Sequence, residues 1–133
     1  MKVVALDYGS ARTGVAASDP TGTLARPVGV VERVGTDAGL ERLVELIHSE
    51  HPDRVVVGMP LTLRGERGEQ ALETEEFVDA LRRSLEIPVE GFDERFTTDL
   101  AEQDPGSRNL PPDARAAAHL LTSYLEWTSR GAG

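Results

Sequence analysis

The sequence predicts an α/β domain: a mixed five-stranded sheet with helices packed on both faces. Three observations carry this expectation. The chain has 133 residues, the size of one domain with a proper core and too short for two independent lobes. Its first third is rich in β-branched runs broken by turn residues. Thereafter apolar spacing alternates between helical and strand periods.

Lys2 to Leu6 is a short β-rich run ending at Asp7, suited to a strand buried on both sides. Tyr8-Gly9-Ser10-Ala11-Arg12-Thr13-Gly14 reads as a turn, Val15 to Ser18 as a returning strand, and Asp19-Pro20-Thr21-Gly22 as a second turn. Val28 to Arg33 completes an antiparallel meander. A helix follows, with Thr36 or Asp37 as N-cap, Leu40, Leu43, Val44 and Ile47 on one face, and Pro52 as its stop. Arg54 to Gly58 is a fourth strand, and Met59 to Gly68 a polar loop. The second helix turns Ala71, Thr74, Val78, Leu81 and Leu85 inward, and Pro88 to Phe92 is a fifth strand. Pro105 to Pro112 is loop, and a last helix carries Ala114, Ala117, Ala118, Leu121 and Leu125 on its core face. The order β-β-β-α-β-α-β-α in one domain, 1–133, allows a central first strand flanked by antiparallel and parallel neighbours.

No apolar run is long enough to span a bilayer, and the N-terminus meets an acid too soon for a secretory signal. With no cysteine, disulfides and thiolate metal sites are excluded, and a cytoplasmic protein without membrane attachment is expected. The net charge of −9 argues against tight phosphate binding. Many acids lie on amphipathic stretches such as Glu69 to Glu76, while Arg12, Arg64, Arg67 and Arg95 flank the chemistry-bearing segments.

Acids stand at three element ends: Asp7, the pair Asp93-Glu94, and Asp113. Carboxylates brought together need a cation to remain ionised, and hard oxygen donors without cysteine or histidine suit Mg²⁺ or Mn²⁺. Each acid also has a plainer use, Asp7 as a turn cap and Asp113 at a helix N-terminus beside Pro111-Pro112. Successive strand residues point to opposite faces, so at most one of Asp93 and Glu94 is a ligand. Gly9 and Gly14 let the backbone bend and let phosphate approach. Arg12 is suited to bidentate phosphate contact, or is an exposed hairpin arginine. His48 and His51 read as a solvated helix end, His119 has no partner histidine or cysteine in view, and Tyr124 and Trp127 read as core or subunit contacts.

Leu6-Asp7-Tyr8-Gly9-Ser10-Ala11-Arg12-Thr13-Gly14-Val15-Ala16 resembles the opening signature of the YqgF/RuvX family. Ser18-Asp19-Pro20, Val56-Val57-Gly58-Met59-Pro60-Leu61, Asp93-Glu94-Arg95-Phe96-Thr97-Thr98 and Asp113 with Ser123-Tyr124-Leu125 resemble its later motifs, in order along essentially the whole chain. The resemblance implies an RNase H-like fold and divalent-metal nuclease chemistry. It also implies a role in maturing the 5′ end of 16S ribosomal RNA, with resolution of Holliday junctions as the alternative. Carried over, the metal-binding and catalytic acids are Asp7, Glu94 (with Asp93 as substitute) and Asp113, and Gly9, Arg12 and Arg95 contact substrate. The implied partner is structured RNA, the pre-16S rRNA, or branched DNA, and a homodimer is compatible with it. One departure stands out: relatives usually carry a longer, basic stretch before the last Asp, whereas Asp99 to Pro112 here has Arg108 as its only cation. That predicts weak nucleic-acid binding.

Two other classes fit less well. An actin-like phosphotransferase opens with a similar hairpin but needs a second lobe, and a non-catalytic nucleic-acid-binding or scaffold domain would not require the acids.

Overall fold

The computed structural model describes residues 1–59, 68–93 and 111–129. In chain order the elements are β1 (Val3–Asp7), β2 (Arg12–Ser18), β3 (Ala25–Glu32), α1 (Asp37–Glu50), β4 (Arg54–Met59), α2 (Glu69–Ser84), β5 (Val89–Asp93) and α3 (Pro112–Trp127). The sheet runs β3-β2-β1-β4-β5, with β1 central. β1 pairs antiparallel with β2 and parallel with β4, and β4 pairs parallel with β5, so the sheet is mixed.

Alternation along the strands builds two cores. On one face Val4, Leu6, Val15, Val55, Val57 and Val89 pack with Leu43 and Ile47 of α1 and Phe77, Val78 and Leu81 of α2. On the other, Val3, Ala5, Ala16, Val56 and Phe92 pack with Ala117, Leu120, Leu121 and Tyr124 of α3. Helices therefore cover both faces, as the apolar spacing predicts. Thr36 is the α1 N-cap, its hydroxyl accepting from the Gly39 N–H, and His51 closes that helix in the left-handed region at φ 50°.

Boundaries moved most around β2. The expected seven-residue turn is shorter, because Arg12, Thr13 and Gly14 already pair with Glu32, Val31 and Val30 of β3. β3 likewise starts earlier than expected, at Ala25. On α3, Ala118 and Leu125 are half-buried rather than central, and Leu120 and Tyr124 take the inward positions. Tyr124 is core, as expected. Trp127 is not, with 41% of its surface exposed.

Candidate active site at the C-terminal edge of β1

The parallel strands β1, β4 and β5 all end at one edge of the sheet. Asp7 is the last residue of β1 and is half-buried. Val3 and Ala5 belong to the α3-side core, so alternation puts Asp7 on that same face.

Across the ladder from Asp7 stands Gly14. A Cβ built on Gly14 would overlap the carbonyl oxygen of Asp113, so the missing side chain is what lets the first turn of α3 rest on β2. Pro112 opens α3 and supplies its fixed φ at a position where no N–H is needed. Asp113 follows in the first turn, where negative charge is favoured by the helix dipole. The strand partner of Asp7 is thus also the seat of Asp113, and the two acids come to one end of one face.

Arg12, at the start of β2, shares the α3 face with Gly14, and its Nε lies 3.3 Å from Asp113 Oδ2. Side-chain exposure is 65% for Arg12 and 33% for Asp113, so this is a solvated pair. The guanidinium expected to meet phosphate stands beside one of the expected metal ligands. Gly9 is accounted for by the turn itself, since a Cβ there would strike the Arg12 carbonyl oxygen.

Asp93 ends β5, but on the opposite layer. Phe92 faces α3, whereas Val89 faces α2, and Asp93 shares the side of Val89. It is not on the face of Asp7 and Asp113. Glu94, Arg95, Arg64, Arg67 and Arg108 lie outside the described residues. Among the described residues, no three acids or histidines gather closely enough to hold an ion. Gly58, next to Phe92 in the β4–β5 ladder, carries no side chain on the α3 face between β1 and β5.

Two contacts away from the acidic pair had no sequence signal. Tyr8 turns to the other layer and stacks on Phe77 of α2, ring centroids 4.6 Å apart. Burial raises its hydroxyl above the ordinary tyrosine value, and the charge of Glu73, with the hydrogen bond to it, adds to the effect. Arg54 donates to Glu90 Oε1 at 3.3 Å and to the Tyr124 hydroxyl at 2.9 Å, and Tyr124 donates to Glu90. This cluster starts β4 at the opposite end of that strand and ties α3 to the sheet. His48 and His51 lie at the end of α1, and His119 lies within α3.

A family model described as "RuvX: Holliday junction resolvase" matches residues 1–127. A protein of Syntrophomonas wolfei, named as a candidate pre-16S rRNA nuclease, is 37% identical over 138 residues, covering 98% of each chain. One of Chloroflexus aurantiacus with the same name is 40% identical over 131 residues, covering 93% of this chain and 86% of its own. Among solved structures, Thermus thermophilus RuvC in complex with a Holliday junction substrate superposes with a TM-score of 0.69 at 18% identity, covering 98% and 96% of the two chains. That likeness concerns the fold, which is RNase H-like. With the family match spanning nearly its whole length, the chain belongs to the RuvX family.

Proposed function

We propose that this protein is a divalent-metal-dependent nuclease that hydrolyses phosphodiester bonds in structured RNA, with the 5′ end of the 16S rRNA precursor in the cytoplasm as its substrate. One observation carries the reading: Asp7 and Asp113 are brought to one end of one sheet face through Gly14, with an arginine at the same place. The names of the curated relatives supply the substrate class.

The donor chemistry fits Mg²⁺ or Mn²⁺, because Asp7 and Asp113 offer hard carboxylate oxygens and the chain has no cysteine. The third donor we assign is Glu94. Glu94 stands in the same family motif as its substitute Asp93, which belongs to the α2 layer. Held by these carboxylates, such an ion would supply activation of water and stabilisation of the leaving oxygen of a phosphodiester. The chain's own part is to orient the two carboxylates and to supply Arg12, which exchanges Asp113 for a phosphate oxygen as substrate arrives. Arg95 is assigned to substrate contact by the same family motif.

Resolution of branched DNA is the second reading, favoured by the description of the family. Incubating the full chain with a 5′-extended 16S precursor RNA and, separately, with a four-way DNA junction in Mg²⁺ or Mn²⁺ tests both. Cleavage of the RNA that vanishes in Asp7→Asn is the expected result. Cleavage of the junction alone transfers the activity to DNA, and cleavage of neither leaves a non-catalytic domain.

A further inference from the structure

In an acidic chain, two further arginines, Arg115 and Arg33, stand next in the structure to the Arg12–Asp113 pair. Arg115 lies one turn into α3, two residues after Asp113. It shares a helix flank with Ala118 and Leu125, and Leu125 lies 4.0 Å from where a Cβ on Gly22, between β2 and β3, would stand, so Arg115 leans toward the β2–β3 side of the sheet. Its Nε is buried and has no hydrogen-bond partner. Desolvating a guanidinium N–H without an acceptor costs free energy, and Asp113, the nearest acid in sequence, is engaged by Arg12 instead.

Arg33 joins from the other side. It closes β3 in the left-handed region at φ 51°, and its N–H donates to the Ala11 carbonyl at 3.0 Å. That bond fixes Arg33 next to the residue preceding Arg12. The start of α1 is pressed against it, since a Cβ on Gly39 would overlap the Arg33 carbonyl oxygen. The Arg33 side chain is exposed and, among the described residues, makes no ion pair. Among the described residues, Glu32 stands across the ladder from Arg12 and Asp113 pairs with it.

We propose that Arg115, Arg12 and Arg33 form a phosphate track that carries the substrate strand past the Asp7–Asp113 pair on its β3 side. Planar guanidinium groups spaced along one edge match successive phosphate oxygens, and Arg115 Nε holds no protein acceptor that would tie its guanidinium away from one. The track gives the chain a grip on nucleic acid independent of the segment holding Arg108. The inference rests on the nuclease reading for the identity of the polyanion.

The test uses the full chain carrying Asp7→Asn, which leaves the probe uncut, and a fluorescein-labelled RNA hairpin with a single-stranded 5′ extension. Fluorescence anisotropy is read across a salt series. Adding Arg115→Met or Arg33→Met should weaken binding about tenfold at low salt and reduce the slope of log affinity against log salt by about 0.7–0.9 each. Arg115→Lys should restore most of the slope, and Arg83→Met on α2 should leave it unchanged. If Arg115→Met unfolds the chain, the exposed Arg33 carries the test. Unchanged slopes in folded Arg115→Met and Arg33→Met overturn the track, as does a failure of the probe to bind at all. Cleavage, scored with Asp7 intact, separates the two readings. Arginine-dependent binding without cleavage removes the nuclease and keeps the track. Cleavage with no arginine dependence removes the track alone.

Discussion

The backbone of Asp113 rests on the Cα of Gly14, with no side chain between α3 and β2 at that point. Because Gly14 is also the ladder partner of Asp7, this one close approach sets the relation between the two acids. Any side chain at position 14 must push the helix start away from the sheet. Gly14→Ala should therefore cost roughly 1–3 kcal/mol, the usual range for overpacking a close contact. Cleavage should fall by more than the loss of folded protein explains, because Asp113 moves with its helix. Chemical denaturation beside a cleavage assay checks this, and an unchanged denaturation midpoint would show that α3 adjusts freely.

Arg12 is expected to separate binding from stability. Its pairing with Asp113 is solvated, and exposed pairs contribute about 0–1 kcal/mol. Its hydrogen bonds to a phosphate would be charge-assisted, worth roughly 1.5–3 kcal/mol. Arg12→Ala should leave the melting temperature within a few degrees of the parent while weakening RNA binding. Equal losses in both would return Arg12 to a structural role as the counter-ion of Asp113.

The fold was legible because its signals are local and repeated. The continuous apolar runs of β1 and β4, the Thr36 cap and the periodic faces of α1 and α2 each announce themselves over a few residues. The start of β2 was not legible. Gly14 reads as a turn residue from its own propensity, and it lies in a strand because a helix 99 residues later needs its missing side chain. The same distance hides Arg115, whose meaning depends on an orphaned N–H that only packing reveals. That Asp93 belongs to the α2 layer could be read only after Phe92 was seen against α3, since parity along a strand has no absolute origin in sequence.

Glu50 makes the expected pH dependence concrete. At the end of α1 it meets Lys2 Nζ at 3.1 Å and Arg26 Nη2 at 2.7 Å, with 15% of its side chain exposed. Burial alone would raise its carboxyl, but the Lys2 hydrogen bond and the Arg26 charge outweigh that and hold it below the ordinary 4.5. A carboxyl lower in the folded than in the unfolded state stabilises fully above the unfolded value and loses that contribution as pH falls through the folded one. Glu50→Gln should thus cost up to about 1 kcal/mol at neutral pH. The gap from the parent should narrow in acid, below the ordinary carboxylate value. Thermal melts at neutral and acidic pH measure it, and a constant gap would assign the effect to packing.

Asp7 gives the sharpest test of the metal reading, because an ion's effect on stability can be read apart from cleavage. The metal-free melting temperatures of the parent and of Asp7→Asn set the reference for each. With Mg²⁺ or Mn²⁺ added, the parent should gain, since an ion that binds only the folded chain stabilises it, by about 2.7 kcal/mol at one hundred times its dissociation constant. Asn offers a neutral oxygen and a nitrogen in place of a carboxylate, so the variant should gain little and should not cleave. Melting curves with and without the ion read this independently of activity. A variant that gains as much as the parent would show that the ion binds elsewhere, and one that also cleaves as well would remove Asp7 from the chemistry.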